Sequence, residues 1–208
     1  MLKFYLFATF IFVSINVFAE SKIYIIRHAK VKIENPGWSN TGEIQSYKEE
    51  YNTAQIEVFD PEIVLNRIDH PELIDTVFCS PQSRAIETAN LLFNNQVNLK
   101  IDNNLMELDY PVIGLPLIKM PVKTWLTISR ISWMAGINRK EKPTLKQRKA
   151  SLEFFSNEII AFAETHEKSV VIAHGMVNRE LIKILKMKGW KFENRDGFGN
   201  LSVNCLIK

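Results

Sequence analysis

The chain has 208 residues, 46% of them hydrophobic and 24% charged, with a formal net charge of +3. That is the composition of one globular domain large enough to bury a substantial core. A balance so near neutral, with no long basic stripe, implies no nucleic-acid partner.

The first nineteen residues stand apart. Lys3 is a minimal positive start, and Phe4 to Val17 is an apolar run broken only by Thr9, Ser14 and Asn16. Val17-Phe18-Ala19 then offers small residues at a cleavage site, with Glu20 next. This reads as a secretory signal peptide over 1–19. The alternative is an uncleaved membrane anchor, but the run falls short of the ~20 apolar residues that a spanning helix needs. The expectation is therefore an exported protein, periplasmic or secreted, whose domain is residues 20–208. Export permits a disulfide. Cys79 and Cys205 each lie inside an apolar run, however, which favours two buried free thiols.

Lys22 to Ile26 has the length and β-branched content of a buried strand, and it ends on Arg27-His28. Residues 29 to 38, with Asn35, Pro36 and Gly37, form a loop. Asn40 with Glu43 starts a helix whose spaced residues are Ile44, Tyr47, Tyr51 and Ala54. Phe59 to Leu73 is irregular or short helix. Asp75 to Cys79 is a second strand, and Ser80-Pro81 supplies a hydroxyl cap and a first-turn proline. Ala85, Ala89, Leu92 and Phe93 form the stripe of the helix that follows. Val97 to Ile101 is a third strand.

Residues 108 to 143 read as an insertion and candidate lid. The segment carries Pro111, Pro116, Pro121 and Pro143, one helix over roughly 121–135, Trp125 and Trp133, and a basic group at Arg139, Lys140 and Lys142. Thr144 with Gln147 makes a capping box for a long helix facing inward at Leu152, Phe155, Ile159 and Phe162. Ser169 to Ala173 is a fourth strand, ending at His174-Gly175. Val177, Leu181, Ile184 and Leu185 mark the next helix, and Leu201 to Ile207 is a last strand. Strands alternating with helices imply an α/β fold, a three-layer α/β/α sandwich around a mostly parallel sheet.

Parallel strands would bring Arg27-His28, Cys79-Ser80 and His174-Gly175 to one sheet edge, where open α/β sheets bind ligands. Arg84, in the first turn of its helix, lies close enough to reach back. Two guanidinium groups, two imidazoles and two helix N-termini on one edge suit a phosphoryl dianion. No His/Cys/Asp cluster has metal-ligand spacing, so neither metal nor cofactor is expected.

RHA at 27–29, SPQSRAIETA at 80–89 and AHG at 173–175 resemble the motifs of the histidine phosphatase superfamily, the phosphoglycerate-mutase-like proteins. Gly42-Glu43-Ile44-Gln45 is similar to the family's GxxQ helix and Leu105-Met106-Glu107 to its LxE segment. Ala29 departs from the usual RHG. The resemblance implies that His28 is the nucleophile of a phosphohistidine intermediate. It also implies that Arg27 and Arg84 clamp the phosphate and that a protonated His174 holds a phosphoryl oxygen. Glu107 matches the proton donor, a position that moves between subfamilies.

The activity implied is a metal-independent phosphomonoesterase acting on a small phosphorylated substrate. Alternatives are a mutase, which the export signal disfavours, and a binding protein of the same fold without turnover. Candidate contacts beyond the phosphate are Lys30, Trp125 and Arg130, although tryptophans in such a helix are more often core. His70, before a proline, is expected in solvent. His166, near a helix end, is expected to complement the dipole. Arg139, Lys140 and Lys142 read most simply as a solvated face, and Arg179 points either to the site or to solvent.

Overall fold

The strand that carries Arg27-His28 lies inside the sheet, and its sequence shows why. In Lys22–Arg27 the apolar residues are contiguous, so both faces must be covered. Ile23 and Ile25 point into one core cluster, Tyr24 and Ile26 into another. The computed structural model describes residues 20–115, 117–137 and 142–208. The expected signal segment 1–19 and the basic residues Arg139 and Lys140 lie outside the described residues.

The elements are β1 (Lys22–Arg27), β2 (Trp38–Ser39), α1 (Thr41–Thr53), α2 (Glu62–Leu65), β3 (Thr76–Cys79), α3 (Ser83–Phe93), β4 (Asn98–Ile101), β5 (Met120–Pro121), α4 (Val122–Met134), α5 (Leu145–His166), β6 (Lys168–Ala173), α6 (Gly175–Met187), β7 (Lys191–Arg195) and β8 (Val203–Ile207). Short 3-10 turns cover Pro71–Leu73 and Asn103–Leu105. The main sheet has six strands in the order β4-β3-β6-β1-β8-β7. β1 pairs in parallel with β6, and β6 with β3, in register Arg27↔Ala173 and Cys79↔Ile172. Only β8 opposes its neighbours, antiparallel to both β1 and β7. The three strands with polar ends are thus adjacent and finish at one level.

Helices α5 and α6 cover one face, packing Phe155, Ile159, Ala163, Val177 and Leu181 on Ile23, Ile25, Phe78 and Val171. Phe78 meets Phe155 and Phe162 edge-on at 5.7 and 5.3 Å. Helices α2 and α3 cover the other face with Val64, Ala85, Ala89 and Leu92. Cys79 and Cys205 are both buried there as free thiols. Both expected capping boxes form, Asn40/Glu43 on α1 and Thr144/Gln147 on α5.

Two local expectations are corrected. Ser80 does not cap α3: the helix begins at Ser83, after an extended Gln82 that makes no side-chain cap. The buried Ser80 hydroxyl is committed elsewhere, to His174. Strand β7 was not anticipated, because Lys191–Arg195 is a mostly exposed edge with little apolar alternation. Tertiary pairing with β8 specifies it instead.

A third, smaller cluster of Ile44, Val112, Val122 and Trp125 lies beneath α1, α4 and the β2–β5 pair. Trp125 is fully buried and donates its indole N–H to the Ser39 carbonyl at 2.6 Å. The expectation that it contacts substrate is therefore wrong. Facing inward from α4, it is the centre of this cluster and ties α4 to β2. Trp125→Ala should lower stability by about 3–5 kcal/mol, the usual cost of emptying a buried aromatic site, read as a lower urea midpoint. An unchanged midpoint with a raised KM would restore the substrate-contact reading.

Candidate active site

His28 leaves β1 with its backbone held on several sides. Its N–H extends the ladder to the Ala173 carbonyl at 3.0 Å, and its carbonyl accepts from Asn200 Nδ2 at 2.9 Å. The next N–H, of Ala29, donates to Thr88 Oγ1 at 2.9 Å. The imidazole is buried, and its Nδ1 lies 2.7 Å from the Ala29 carbonyl. A carbonyl only accepts, so Nδ1 carries the proton and Nε2 keeps its lone pair. Burial, and then the charges of Arg84 and Arg27, push the imidazole pKa down to about 3, so the ring is neutral in ordinary buffers.

His174 is the N-cap residue of α6. Its ring centroid is 4.9 Å from that of His28, its Nε2 is 2.7 Å from Ser80 Oγ, and its Nδ1 is 4.0 Å from Glu107 Oε2. Burial, followed by His28 and the arginines, drives its pKa well below the usual histidine value. Burial and the two guanidinium groups thus oppose the protonated His174 that the sequence led one to expect.

Arg27 donates from Nη1 to the Phe198 carbonyl at 2.6 Å. It lies directly over Gly175, where a Cβ would sit 3.3 Å from Cζ and from Nη1. The glycine after His174 is thus explained by the close approach of a guanidinium. Arg84 is 1% exposed. Its Nη1 donates to Asn52 Oδ1 at 3.2 Å, and its Cζ lies 5.0 Å from the centre of the Tyr51 ring. Arg27 Nε, Arg84 Nε and His174 Nδ1 are all buried without a hydrogen-bond partner. Orphaned groups of this kind cost about 1–3 kcal/mol each unless an acceptor meets them.

Glu107 follows the Asn103–Leu105 turn. Its backbone N–H donates to Gln82 Oε1 at 3.0 Å, and its own Oε1 accepts from the Leu108 N–H at 3.0 Å. Burial raises the carboxyl pKa, and it outweighs the opposing effects of the Leu108 N–H and of Arg84, Arg27 and Arg130. A cleft of about 370 Å³ opens beside these groups, lined also by Tyr47, Lys48, Tyr51, Tyr110, Leu126, Arg130 and Met176.

The structure gathers His28, His174, Arg27, Arg84 and Glu107, and it places Arg130 on the same cleft. Lys30 is not brought there. The loop turns outward where the Lys30 carbonyl accepts from the Glu57 N–H at 2.7 Å, and the Lys30 amine pairs with Glu57 at 2.6 Å, largely in solvent. The expectation that Lys30 touches substrate is corrected accordingly. Gln45 of the GxxQ match is exposed and bonds Glu49. His70 is exposed beside Glu72, and His166 stacks on Phe162 in the last turn of α5. Arg179 is exposed and lies over Phe198, and Lys142 pairs with Asp109. Sequence reasoning missed Ser80 as the partner of His174, Asn52 as the partner of Arg84 and Gln82 as the anchor of Glu107. Its one available signal was Tyr47 and Tyr51 at helical spacing, which reads equally well as a core stripe.

The fold is a mixed α/β one with a mostly parallel central sheet. The chain belongs to the histidine phosphatase superfamily (branch 1), whose model matches residues 23–207. No curated protein matches the sequence. Among solved structures, the Mycobacterium tuberculosis open reading frame Rv3214 is similar with a TM-score of 0.58 at 15% identity, covering 89% of this chain and 90% of that one. The mycobacterial glucosyl-3-phosphoglycerate phosphatase Rv2419c is similar with a TM-score of 0.53 at 14% identity, covering 90% of each chain. The ecdysone phosphate phosphatase of Bombix mori, in complex with tungstate, has a TM-score of 0.52 at 12% identity, covering 89% of this chain and 88% of that one. At these identities the likeness is one of fold.

Gly175→Ala tests the packing of the first guanidinium. The added methyl should displace Arg27 and weaken tungstate binding about tenfold or more, the value of one charge-assisted contact, with little change in melting temperature. Calorimetric titration reads the affinity. Unaltered tungstate affinity would mean that Arg27 is not aimed at the anion.

Proposed function

We propose that this chain is a phosphomonoesterase that works through a phosphohistidine on His28. The observation that carries the reading is the set of three buried, unpaired groups on Arg27, Arg84 and His174 around a neutral imidazole whose Nδ1 is locked. His28 Nε2 attacks phosphorus in line with the ester oxygen, and the P–O bond breaks as the P–N bond forms. Arg27, Arg84 and His174 hold the equatorial oxygens, which is most of what phosphoryl transfer asks of a protein. The Glu107 carboxyl gives its proton to the departing alkoxide. The resulting carboxylate then takes a proton from water, whose oxygen attacks phosphorus and breaks the P–N bond, releasing phosphate. No step calls on a metal ion.

The reading is supported by the family, by phosphatase neighbours and by the tungstate complex of one of them. His28→Ala should cost at least ~10⁴-fold in turnover of 4-nitrophenyl phosphate. It should also abolish an acid-labile, alkali-stable phosphoryl adduct on the protein. Wild-type turnover should persist in EDTA and be inhibited by tungstate. Near-normal rates for His28→Ala, or loss on chelation reversed by a divalent ion, would refute the mechanism.

The pH dependence has a definite sign. A depressed pKa leaves His28 deprotonated as pH falls, until about pH 3. A raised pKa lets Glu107 hold its proton to higher pH than an ordinary carboxyl, and the acid is lost as pH rises through that raised value. Activity on alkyl phosphates should therefore be highest at acid pH and decline as pH rises. Glu107→Gln should remove that alkaline decline while lowering the rate by roughly 10²–10⁴-fold. In single-turnover formation of the phosphohistidine, the loss should be much smaller on 4-nitrophenyl phosphate, whose leaving group needs no proton. Equal losses on both esters in that first step would exclude Glu107 as the acid.

We further propose export through cleavage after Ala19, which the charged start, the apolar run and the small residues at 17–19 support. Sequencing the N-terminus of the extracytoplasmic protein tests it, and a mature chain retaining residues 1–19 would point to the anchored alternative.

A further inference from the structure

The cleft continues past the phosphate groups. Tyr47, Tyr51 and Tyr110 with Leu126 and Met176 supply the aromatic and apolar part of its lining, and Tyr47 and Tyr51 lie with ring centres 6.3 Å apart. Such surfaces favour a flat apolar body over a polyol. At about 370 Å³ the space is at the small end of ordinary ligand sites, which leaves room for more than a phosphoryl group.

Four cations line this cleft: Arg27, Lys48, Arg84 and Arg130. Arg27 and Arg84 face His28. Lys48 is neutralised by Asp109 at 3.1 Å and also donates to the Tyr110 carbonyl. Arg130, on α4, pairs with no carboxylate among the described residues. Its Nη2 donates to the Tyr110 hydroxyl at 3.2 Å, its Cζ lies 5.3 Å from the Tyr110 ring centre, and its Nε is buried without a partner. A planar donor fork held against an aromatic wall, with capacity unspent, matches a carboxylate.

Resting on the phosphatase reading, we infer that the leaving group of the substrate is a flat, apolar, ring-like body bearing a carboxylate, and that Arg130 pairs with this carboxylate while Tyr47, Tyr51 and Leu126 hold the ring. A neutral leaving group would leave the Arg130 guanidinium without a carboxylate partner and its buried Nε unsatisfied. An acyclic sugar acid would satisfy Arg130 but leave the tyrosine walls uncovered.

Binding of non-hydrolysable probes separates this assignment from the chemistry. Benzylphosphonate and its 3- and 4-carboxy derivatives are titrated calorimetrically into the full protein. In the wild type one carboxylated isomer should bind about ten- to a hundredfold more tightly than benzylphosphonate. Arg130→Met should collapse that ratio to about threefold or less, and Arg130→Lys should retain part of it. Equal affinities of all three probes for the wild type, or a ratio unaffected in Arg130→Met, overturn the assignment even if 4-nitrophenyl phosphate is hydrolysed. Failure of every probe and of tungstate to bind overturns the phosphatase reading together with it.

Discussion

Everything at this site depends on one hydrogen bond, from His28 Nδ1 to the Ala29 carbonyl at 2.7 Å. It fixes the tautomer and aims Nε2, and it exists only because the backbone around His28 is immobile. That backbone is tied to β6 through Ala173, to α3 through Thr88 and to the β7–β8 connection through Asn200. The two arginines act on this imidazole and on an incoming anion with the same field. The positive potential that would draw a phosphoryl group also opposes protonation of the ring, so the proposed nucleophile stays neutral where the anion binds best.

Glu107 shows the opposite balance. Arg84, Arg27 and Arg130 all favour its charged form, yet burial is the larger effect and its pKa is raised.

The packing divides the molecule in a way that matters for the proposed chemistry. Two clusters sandwich the sheet and fix the strand ends, where the groups proposed to hold phosphate stand. A third cluster, centred on Trp125, holds α1 and α4 and with them Tyr47 and Leu126 of the cleft. Arg84 bridges the two regions, rising from α3 and meeting Asn52 and Tyr51 of α1.

The sequence by itself determined the features that rest on local physics. The uninterrupted apolar runs of β1, β3 and β6 required burial on both faces and hence a layered α/β fold. The Asn40/Glu43 and Thr144/Gln147 pairs marked helix starts because capping is satisfied within four residues. Arg27, His28, Arg84 and His174 were legible because parallel topology brings strand ends to one edge, and Glu107 only through its likeness to the family's LxE segment. Tertiary structure alone decided the rest. Trp125 could face either way from its helix until the third cluster claimed it, and Lys30 could face the site until Glu57 drew it outward. Ser80 was a plausible cap until His174 took its hydroxyl, and β7 became a strand only by pairing with β8. The charge of His174 followed from burial beside two arginines that are distant in sequence. In each case the deciding partner lies far along the chain, and only packing sets its distance and its dielectric surroundings.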